Sequence, residues 1–242
     1  MILAAGFGSR LRPLTDRTPK ALIPVAGKPL IAYPLALLRE AGIREVMINL
    51  HHRGDQIREM LGDGSHYGVS IEYSEEQPIL DTGGAIKNAE HFLRGSTFVV
   101  LNADTVIDLK LSDLTGFHQE KGAIATMVLR PDLHAARYGM IEVDALQRIR
   151  RFLGQPEHVA EPLTPLMFAG VHVFEPQVFE LMKPGRFGIT RETYPRMLRE
   201  GLPLFGYVFH GYWRVLDTHA GLAEGRWDLE GQSDVLAPSR RP

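Results

Sequence analysis

Five apolar runs of strand length alternate with four helical segments over the first 130 residues. The runs are "MILAA" (1–5), "EVMINL" (45–50), "VSIEYS" (69–74), "TFVVLNADT" (97–105) and "AIATMVL" (123–129). Between them lie "PLIAYPLALLREAG", "GDQIREMLGDG", "GGAIKNAEHFL" and "LKLSDLTGFHQEKG", which carry helical patterns. Pro29 stands near the first turn of the first helical segment and Gly42 just past its end, a start and a stop signal. Such alternation predicts α/β architecture: βαβ units around a parallel sheet. After Arg130 the rhythm weakens. "GMIEV", "RIRRF", "MFAGVHVF" and "LPLFGYVF" read as strands, with a loop from Gly154 to Pro165 and a helix near Arg191 to Arg199. One continuous domain is expected over 1–232, with halves at about 1–130 and 131–232. A polar, Pro-containing tail over 233–242 is expected to fray.

Composition narrows the chemistry. The 242 residues are 44% hydrophobic and 23% charged, a soluble globular mix. Lys and Arg number 27 against 29 Asp and Glu, so bulk nucleic-acid binding, which wants a basic domain, is not expected. Any anion site must come from local clustering of cations. The chain has no cysteine, which excludes disulfides, thiolate metal sites and a Cys nucleophile. No apolar run reaches membrane-spanning length and no signal-peptide pattern is present, so a cytoplasmic location is expected.

The first apolar run ends in "LAAGFGSRLRPLTDRTPKAL" (3–22). Gly6 and Gly8 allow a bend in which backbone amides approach a ligand closely, and exposed amides of that kind favour an anion. No third glycine follows at dinucleotide-fingerprint spacing, and no GK[ST] follows as in a Walker A loop. Two glycines alone equally describe an ordinary strand-to-loop bend. Arg10, Arg12, Arg17 and Lys20 tip the balance. They sit in a segment stiffened by Pro13, Pro19, Pro24 and Pro29 and partly buried through Leu11, Leu14, Leu22, Ile23 and Val25. A stiff loop that gathers cations beside a glycine bend suits a polyphosphate.

Further polar positions follow other strands. "LDTGGAIKNA" places Thr82, Gly83 and Gly84 where a helix opens, either an anion or base-edge site or a tight helix entry. "VVLNADTVID" ends an apolar strand in Asn102, Asp104 and Asp108, at the carboxyl end where open α/β sheets bind ligands; an Asp there also serves as a helix cap. His51 and His52 have no third ligand at motif spacing and read as loop histidines. Trp213 and Tyr212 read as core. No Ser/His/Asp arrangement has a recognisable nucleophile elbow.

The stretch from Leu3 through "PKALIPVAGKPLIAYPL" closely resembles the signature of the sugar-1-phosphate nucleotidyltransferases, L-A-A-G-x-G-x-R-L followed by P-K-x-L-x-P-V. The resemblance implies a Rossmann-like, mixed, mostly parallel sheet flanked by helices in a single-domain nucleotidyltransferase fold. It makes residues 1–130 the nucleotide-binding half and 131–232 the sugar-phosphate half. It implies a reaction that joins a nucleoside triphosphate to a sugar 1-phosphate and releases pyrophosphate, with Mg2+ as cofactor. Matched motif by motif, Arg10 and Lys20 would act on the phosphates as catalytic residues. Leu3, Ala4, Ala5, Gly6, Gly8, Thr82, Gly83 and Asn102 would bind the nucleotide. Gly139 in "ARYGMIEVD" and Gly170 in "MFAGVHVFEP" would bind the sugar, and Asp104 would hold the metal. The T-G-G form is similar to uridylyltransferases acting on N-acetylmuramate 1-phosphate, and equally to heptose-phosphate guanylyltransferases, so it leaves the base open. The resemblance implies GDP- or UDP-linked products, with mannose 1-phosphate the commonest sugar in close relatives.

Two departures qualify the match. "FLGQP" puts Gly154 and Gln155 where the family often carries a sugar-binding Glu and a phosphate-binding Lys. In "GYWRVLDTHAGLAEG" the family's second metal-binding Asp position is Val215, and Asp217 follows two residues later. A two-residue offset keeps the same strand face, so Asp217 is either the second metal ligand or a cap for the helix starting near Ala220. These departures keep two other readings open: a catalytically weak, regulatory nucleotide-sugar-binding homologue, and a phosphocholine cytidylyltransferase. The expected partners are small substrates alone, with no nucleic acid and no membrane, in a monomer or homodimer.

Overall fold

The structure, a computed structural model, describes residues 1–132 and 140–231. The chain forms two compact units: one of residues 1–79, 101–111 and 211 onward, the other of residues 80–100 and 112–210. The strands in chain order are β1 (Ile2–Leu3), β2 (Pro24–Val25), β3 (Lys28–Pro29), β4 (Glu45–Leu50), β5 (Ser70–Glu75), β6 (Phe98–Asn102) and β7 (Thr105–Ile107). They continue as β8 (Ala125–Arg130), β9 (Met140–Val143), β10 (Ile149–Phe152), β11 (Thr164–Phe174), β12 (Leu204–Val208) and β13 (Trp213–Val215). The helices are α1 (Ala32–Glu40), α2 (Gly54–Leu61), α3 (Asp81–Asn88), α4 (Glu90–Leu93), α5 (Leu111–Glu120), α6 (Thr193–Arg199) and α7 (His219–Gly231). Among the described residues no helix is long and apolar enough to cross a membrane.

The first unit is built on parallel pairing. β1 lies between β4 and the end of β6, with Ile2 opposite both Ile48 and Leu101 and Leu3 opposite both Asn49 and Asn102. β5 extends the sheet beside β4 over six residue pairs. β4 is buried at every position after Glu45, the pattern of a parallel strand covered on both faces. Helix α1 buries Pro34, Leu35 and Leu38, and α2 buries Ile57 and Leu61, each at helical spacing. A second core gathers Leu11, Ile23, Val25 and Leu30 from the N-terminal loop with Val106, Leu216 and Leu222. The four loop residues are each at most 3% exposed. The loop is therefore part of the packed interior along one side.

The second unit carries mixed pairing. β9 is antiparallel to β10 and β11, β11 is antiparallel to β8, and β8 is parallel to β12. Mixed pairing after Arg130 is what the sequence predicts, as is the α/β class as a whole. Two local features differ from expectation. The helix expected over residues 83–93 divides at Ala89 into α3 and α4. The strand expected to run to Thr105 stops at Asn102, and Thr105–Ile107 form β7, which pairs with β13 antiparallel. Local periodicity could not announce that ladder, because its two strands are about a hundred residues apart. The expected tail, 233–242, lies outside the described residues.

Candidate active site

The glycine bend starts where β1 stops. The Leu3 carbonyl accepts from the Ala103 amide at 3.1 Å, and the Ala4 amide donates to Asn49 Oδ1 at 2.7 Å. Asn49 is buried on β4, and its Nδ2 donates to the buried Glu76 at 2.7 Å. A polar pair in an apolar interior survives only when hydrogen-bonded, and this one fixes the exit of β1. Gly6 is exposed, with open space where a Cβ would stand. Gly8 is held at φ 61°, and a Cβ there would meet Thr15 Cγ2 at 2.8 Å and Lys20 Cβ at 3.1 Å. Its carbonyl accepts from the Leu11 amide at 2.9 Å and from Thr15 Oγ1 at 3.0 Å. Only glycine satisfies both the left-handed backbone and the close approach of Lys20.

The cations the bend presents meet carboxylates. Lys20 Nζ pairs with Asp104 Oδ2, with both side chains largely buried. Arg10 pairs with Asp217 at 2.5 Å, and its side chain is 64% exposed against 13% for Asp217. The two acids are brought together by the β7–β13 ladder: Val215 opposes Thr105, and the Leu216 amide donates to the Asp104 carbonyl at 2.8 Å. Helix α7 does not use Asp217 as its cap. Thr218 Oγ1 accepts from the Gly221 amide at 3.1 Å, which satisfies one of the orphan donors of the first turn. The Arg10, Lys20, Asp104 and Asp217 side chains are therefore joined in two acid–base pairs beside the bend. Asp104 Oδ1 is buried and has no hydrogen-bond partner among the described residues. A hard carboxylate oxygen in that state suits a divalent cation, and Asp104 with Asp217 gives the one or two carboxylates that Mg2+ takes besides phosphate oxygens and water.

The other basic residues of the loop lie outside these pairs. Arg12 pairs with Asp16 at 3.2 Å, and its carbonyl meets His219 Nε2 at 2.9 Å. Arg17 is exposed, and its carbonyl accepts from Gln56 at 3.2 Å. His51 and His52 belong to the loop scaffold: His51 Nδ1 meets the Glu76 carbonyl at 2.8 Å, and His52 Nε2 meets the Thr15 carbonyl at 3.3 Å. Phe7 packs on both rings, with centroids 5.3 and 5.5 Å away. Asp108 is pushed upward in pKa by burial, opposed by Lys110. Tyr212 packs against the core that anchors the loop and bonds Asp228 at 3.1 Å; burial first, then Asp228, pushes its hydroxyl pKa well up.

Asn102 ends β6 in the first unit, opposite Leu3, and the other remaining predicted positions fall in the second unit or outside the described residues. The amides of Gly83 and Gly84 both donate to the Phe187 carbonyl, at 3.0 and 3.1 Å. A Cβ on either glycine would collide, with the Phe187 ring or with the Gly185 carbonyl. Thr82 Oγ1 accepts from the Ile189 amide at 3.1 Å. The T-G-G element thus packs tightly against residues 185–189. Gly170 adopts φ 85° where the β11–β8 register shifts between Phe168 and His172, a bulge that needs a glycine. Gly139 lies outside the described residues. Sequence reasoning missed Asn49, Thr15 and Thr218, which hold the bend and the helix entry. Asn49 alone left a signal, a lone amide inside the apolar run "EVMINL".

Comparison with known proteins gives this geometry a context. A family model described as nucleotidyl transferase matches residues 1–230. The chain is 39% identical over 231 residues to N-acetylmuramate alpha-1-phosphate uridylyltransferase of Neisseria meningitidis, covering 93% of this chain and 96% of that protein. It is 34% identical over 231 residues to mannose-1-phosphate guanylyltransferase of Mycobacterium tuberculosis, covering 95% of this chain and spanning 64% of that relative's length. A solved structure of UDP-glucose pyrophosphorylase complexed with UDP-glucose superposes with a TM-score of 0.77, covering 95% of this chain and 97% of that one. At 21% identity that likeness speaks to the fold alone.

Proposed function

The chain belongs to the nucleotidyl transferase family, and from that premise we propose that it transfers a nucleotidyl group from a nucleoside triphosphate to a sugar 1-phosphate. The observation that carries this reading is the pairing of Arg10 with Asp217 and of Lys20 with Asp104 beside the glycine bend. In the reaction an oxygen of the sugar phosphate forms a bond to the α-phosphorus. The bond from that phosphorus to the α,β-bridging oxygen breaks, and pyrophosphate leaves with the electron pair. Such a displacement needs positioning and charge neutralisation rather than a covalent intermediate.

Each residue has a part. The bend at Gly6 to Gly8 offers amides to the triphosphate. Arg10, mostly exposed, sits in an ion pair of a type worth about 1 kcal/mol or less, so a phosphate can draw it away from Asp217. Lys20 Nζ is held by Asp104 Oδ2, which fixes where its cationic head meets developing charge. Asp104 and Asp217 would hold Mg2+, which when bound neutralises part of the triphosphate charge and polarises the reacting phosphate. The halves expected from sequence assign the acceptor to residues after 130, with Gly139 and Gly170 against the sugar and Thr82, Gly83 and Asn102 toward the nucleotide. Nucleoside triphosphate substrates suit a cytoplasmic enzyme working as a monomer or homodimer, and the near-balanced net charge suits one without nucleic acid.

The end-to-end match at 39% identity favours uridylyl transfer to an N-acetylated sugar acid 1-phosphate. Guanylyl transfer to mannose 1-phosphate is the second reading, supported by the 34% match. Pyrophosphate release measured across UTP, GTP, CTP and ATP, against N-acetylmuramate 1-phosphate, mannose 1-phosphate and phosphocholine, decides among them. Release is expected with UTP or GTP and a sugar 1-phosphate, and Lys20→Ala is expected to lose most turnover while remaining folded by circular dichroism. Release with phosphocholine alone, nucleotide-sugar binding with no release, or a fully active Lys20→Ala protein would sink the proposal.

A further inference from the structure

A cavity of about 810 Å³ opens in the second unit between β10, the excursion that follows it and α6. Its walls include Ile149 and Phe152 of β10 and Leu198 of α6. Gln155, at the position matched to the family's phosphate-binding Lys, lines it, whereas Gly170, Arg10, Lys20, Asp104 and Asp217 do not. The volume is that of a small-molecule site, and such sites are largely apolar with a few convergent polar groups.

Its charges are one-sided. Four arginines line the cavity against one carboxylate, Glu161. Arg150 is held by Glu161 at 2.6 Å, and Arg148 donates to the Gly201 carbonyl at 2.8 Å. The guanidinium groups of Arg191 and Arg199 have no partner among the described residues. They stand just before α6 and at its last residue, so both residues line one cavity from the two ends of a short helix.

The rim holds a second, independent sign. Leu153 and Gly154 form a two-residue turn with φ 51° and 82°, closed by reciprocal bonds between Phe152 and Gln155 at 2.8 and 3.0 Å. A turn with both central residues left-handed prefers Asn-Gly, and a leucine there is a strained choice. Leu153 is nonetheless 49% exposed, on the lining of the cavity. Burial in the core does not compensate the strain. Backbone strain of this kind persists where a side chain is needed in place.

We propose that this cavity binds a phosphate-bearing small molecule with an apolar or aromatic body, its phosphate on Arg191 and Arg199 and its body against Leu153, Phe152 and Leu198. A mononucleotide and an alkyl phosphate share that chemistry. The test displaces anilinonaphthalene sulfonate, a fluorescent aromatic anion, from the whole protein with UMP, GMP, octyl phosphate and uncharged octyl glucoside. Displacement by a phosphate, and not by the glucoside, is expected, and its pattern separates the nucleotide from the alkyl source. Arg191→Gln with Arg199→Gln, at exposed positions, is expected to weaken that displacement at least tenfold, whereas Lys20→Ala leaves it unchanged. Leu153→Asn supplies the residue the turn prefers, so its melting temperature is expected to rise while the phosphate binds several-fold more weakly. No displacement by any phosphate, equal displacement by the glucoside, or displacement indifferent to the arginine pair would overturn the assignment.

Discussion

His172 Nδ1 accepts a hydrogen bond from the Tyr194 hydroxyl, and the rings of Phe168, Phe174 and Tyr194 surround it with centroids 4.3 to 5.8 Å away. Burial lowers its pKa to about 3, from an ordinary value of 6.5, and pushes the Tyr194 hydroxyl well up, so the tyrosine donates and the imidazole is neutral. The sign of the pH effect follows. The folded pKa lies below the unfolded one, so between pH 6.5 and about 3 the unfolded chain takes up a proton that the native state refuses. Stability is complete above pH 6.5 and falls as pH drops, by up to about 1.4 kcal/mol per unit. His118 acts in the same direction: burial lowers its pKa, opposed by Glu175. Urea unfolding at pH 7.5 and 5.5 is therefore expected to show a marked loss for the native protein and a smaller one for His172→Gln, whose amide can still accept from Tyr194. Equal losses in the two proteins would refute it. None of this was legible in the sequence, because "VHVF" shows a histidine in an apolar strand without its partner, Tyr194, on another element.

The bend between β1 and the loop core is the element on which the site depends. Its conformation was half legible: two glycines, several prolines and buried aliphatics announced a stiff turn, but not the reason for each glycine. Gly8 is required twice over, by φ 61° and by Thr15 and Lys20 within 2.8 and 3.1 Å of a Cβ, whereas Gly6 has open space around it. The two substitutions are therefore expected to separate. Gly8→Ala should lose about 1 to 3 kcal/mol, the range for forced overpacking, and push on Lys20, whose Cβ would lie 3.1 Å from the added methyl. Gly6→Ala should keep its unfolding midpoint, so that any loss of nucleoside triphosphate affinity reports crowding of the ligand. Thermal unfolding beside calorimetric titration with UTP measures both, and equal unfolding midpoints for the two variants would contradict this account of the bend. The acidic partner was legible only in part. Asp104 ends an apolar strand, as expected, but the place of Asp217 rests on the β7–β13 ladder and on Thr218 taking the cap. Both depend on pairings between distant segments.

At the scale of the molecule, the α/β class was legible because βαβ alternation is a local pattern. The makeup of the compact units was not, since the first recruits residues 101–111 and 211 onward to segments near the N-terminus. Charge shows the same contrast between global and local. With 27 basic and 29 acidic residues, the chain as a whole generates little field to steer an anion. The proposed capture of a triphosphate would then rest on a few cations at close range, and these differ in exposure. The Arg10 side chain is 64% exposed and that of Lys20 19%. Raising salt from 0.1 to 1 M shortens the screening length from about 10 Å to about 3 Å, which weakens an exposed charge far more than a buried one. The dissociation constant for a nucleoside triphosphate is therefore expected to rise several-fold over that range, with little change in the melting temperature of the free protein. Arg10→Ala should bind more weakly at low salt but lose most of the salt dependence. If the Arg10→Ala protein keeps the full salt dependence, the exposed arginine does not meet the phosphates, and the capture of the triphosphate must rest on Lys20 and the backbone amides of the bend.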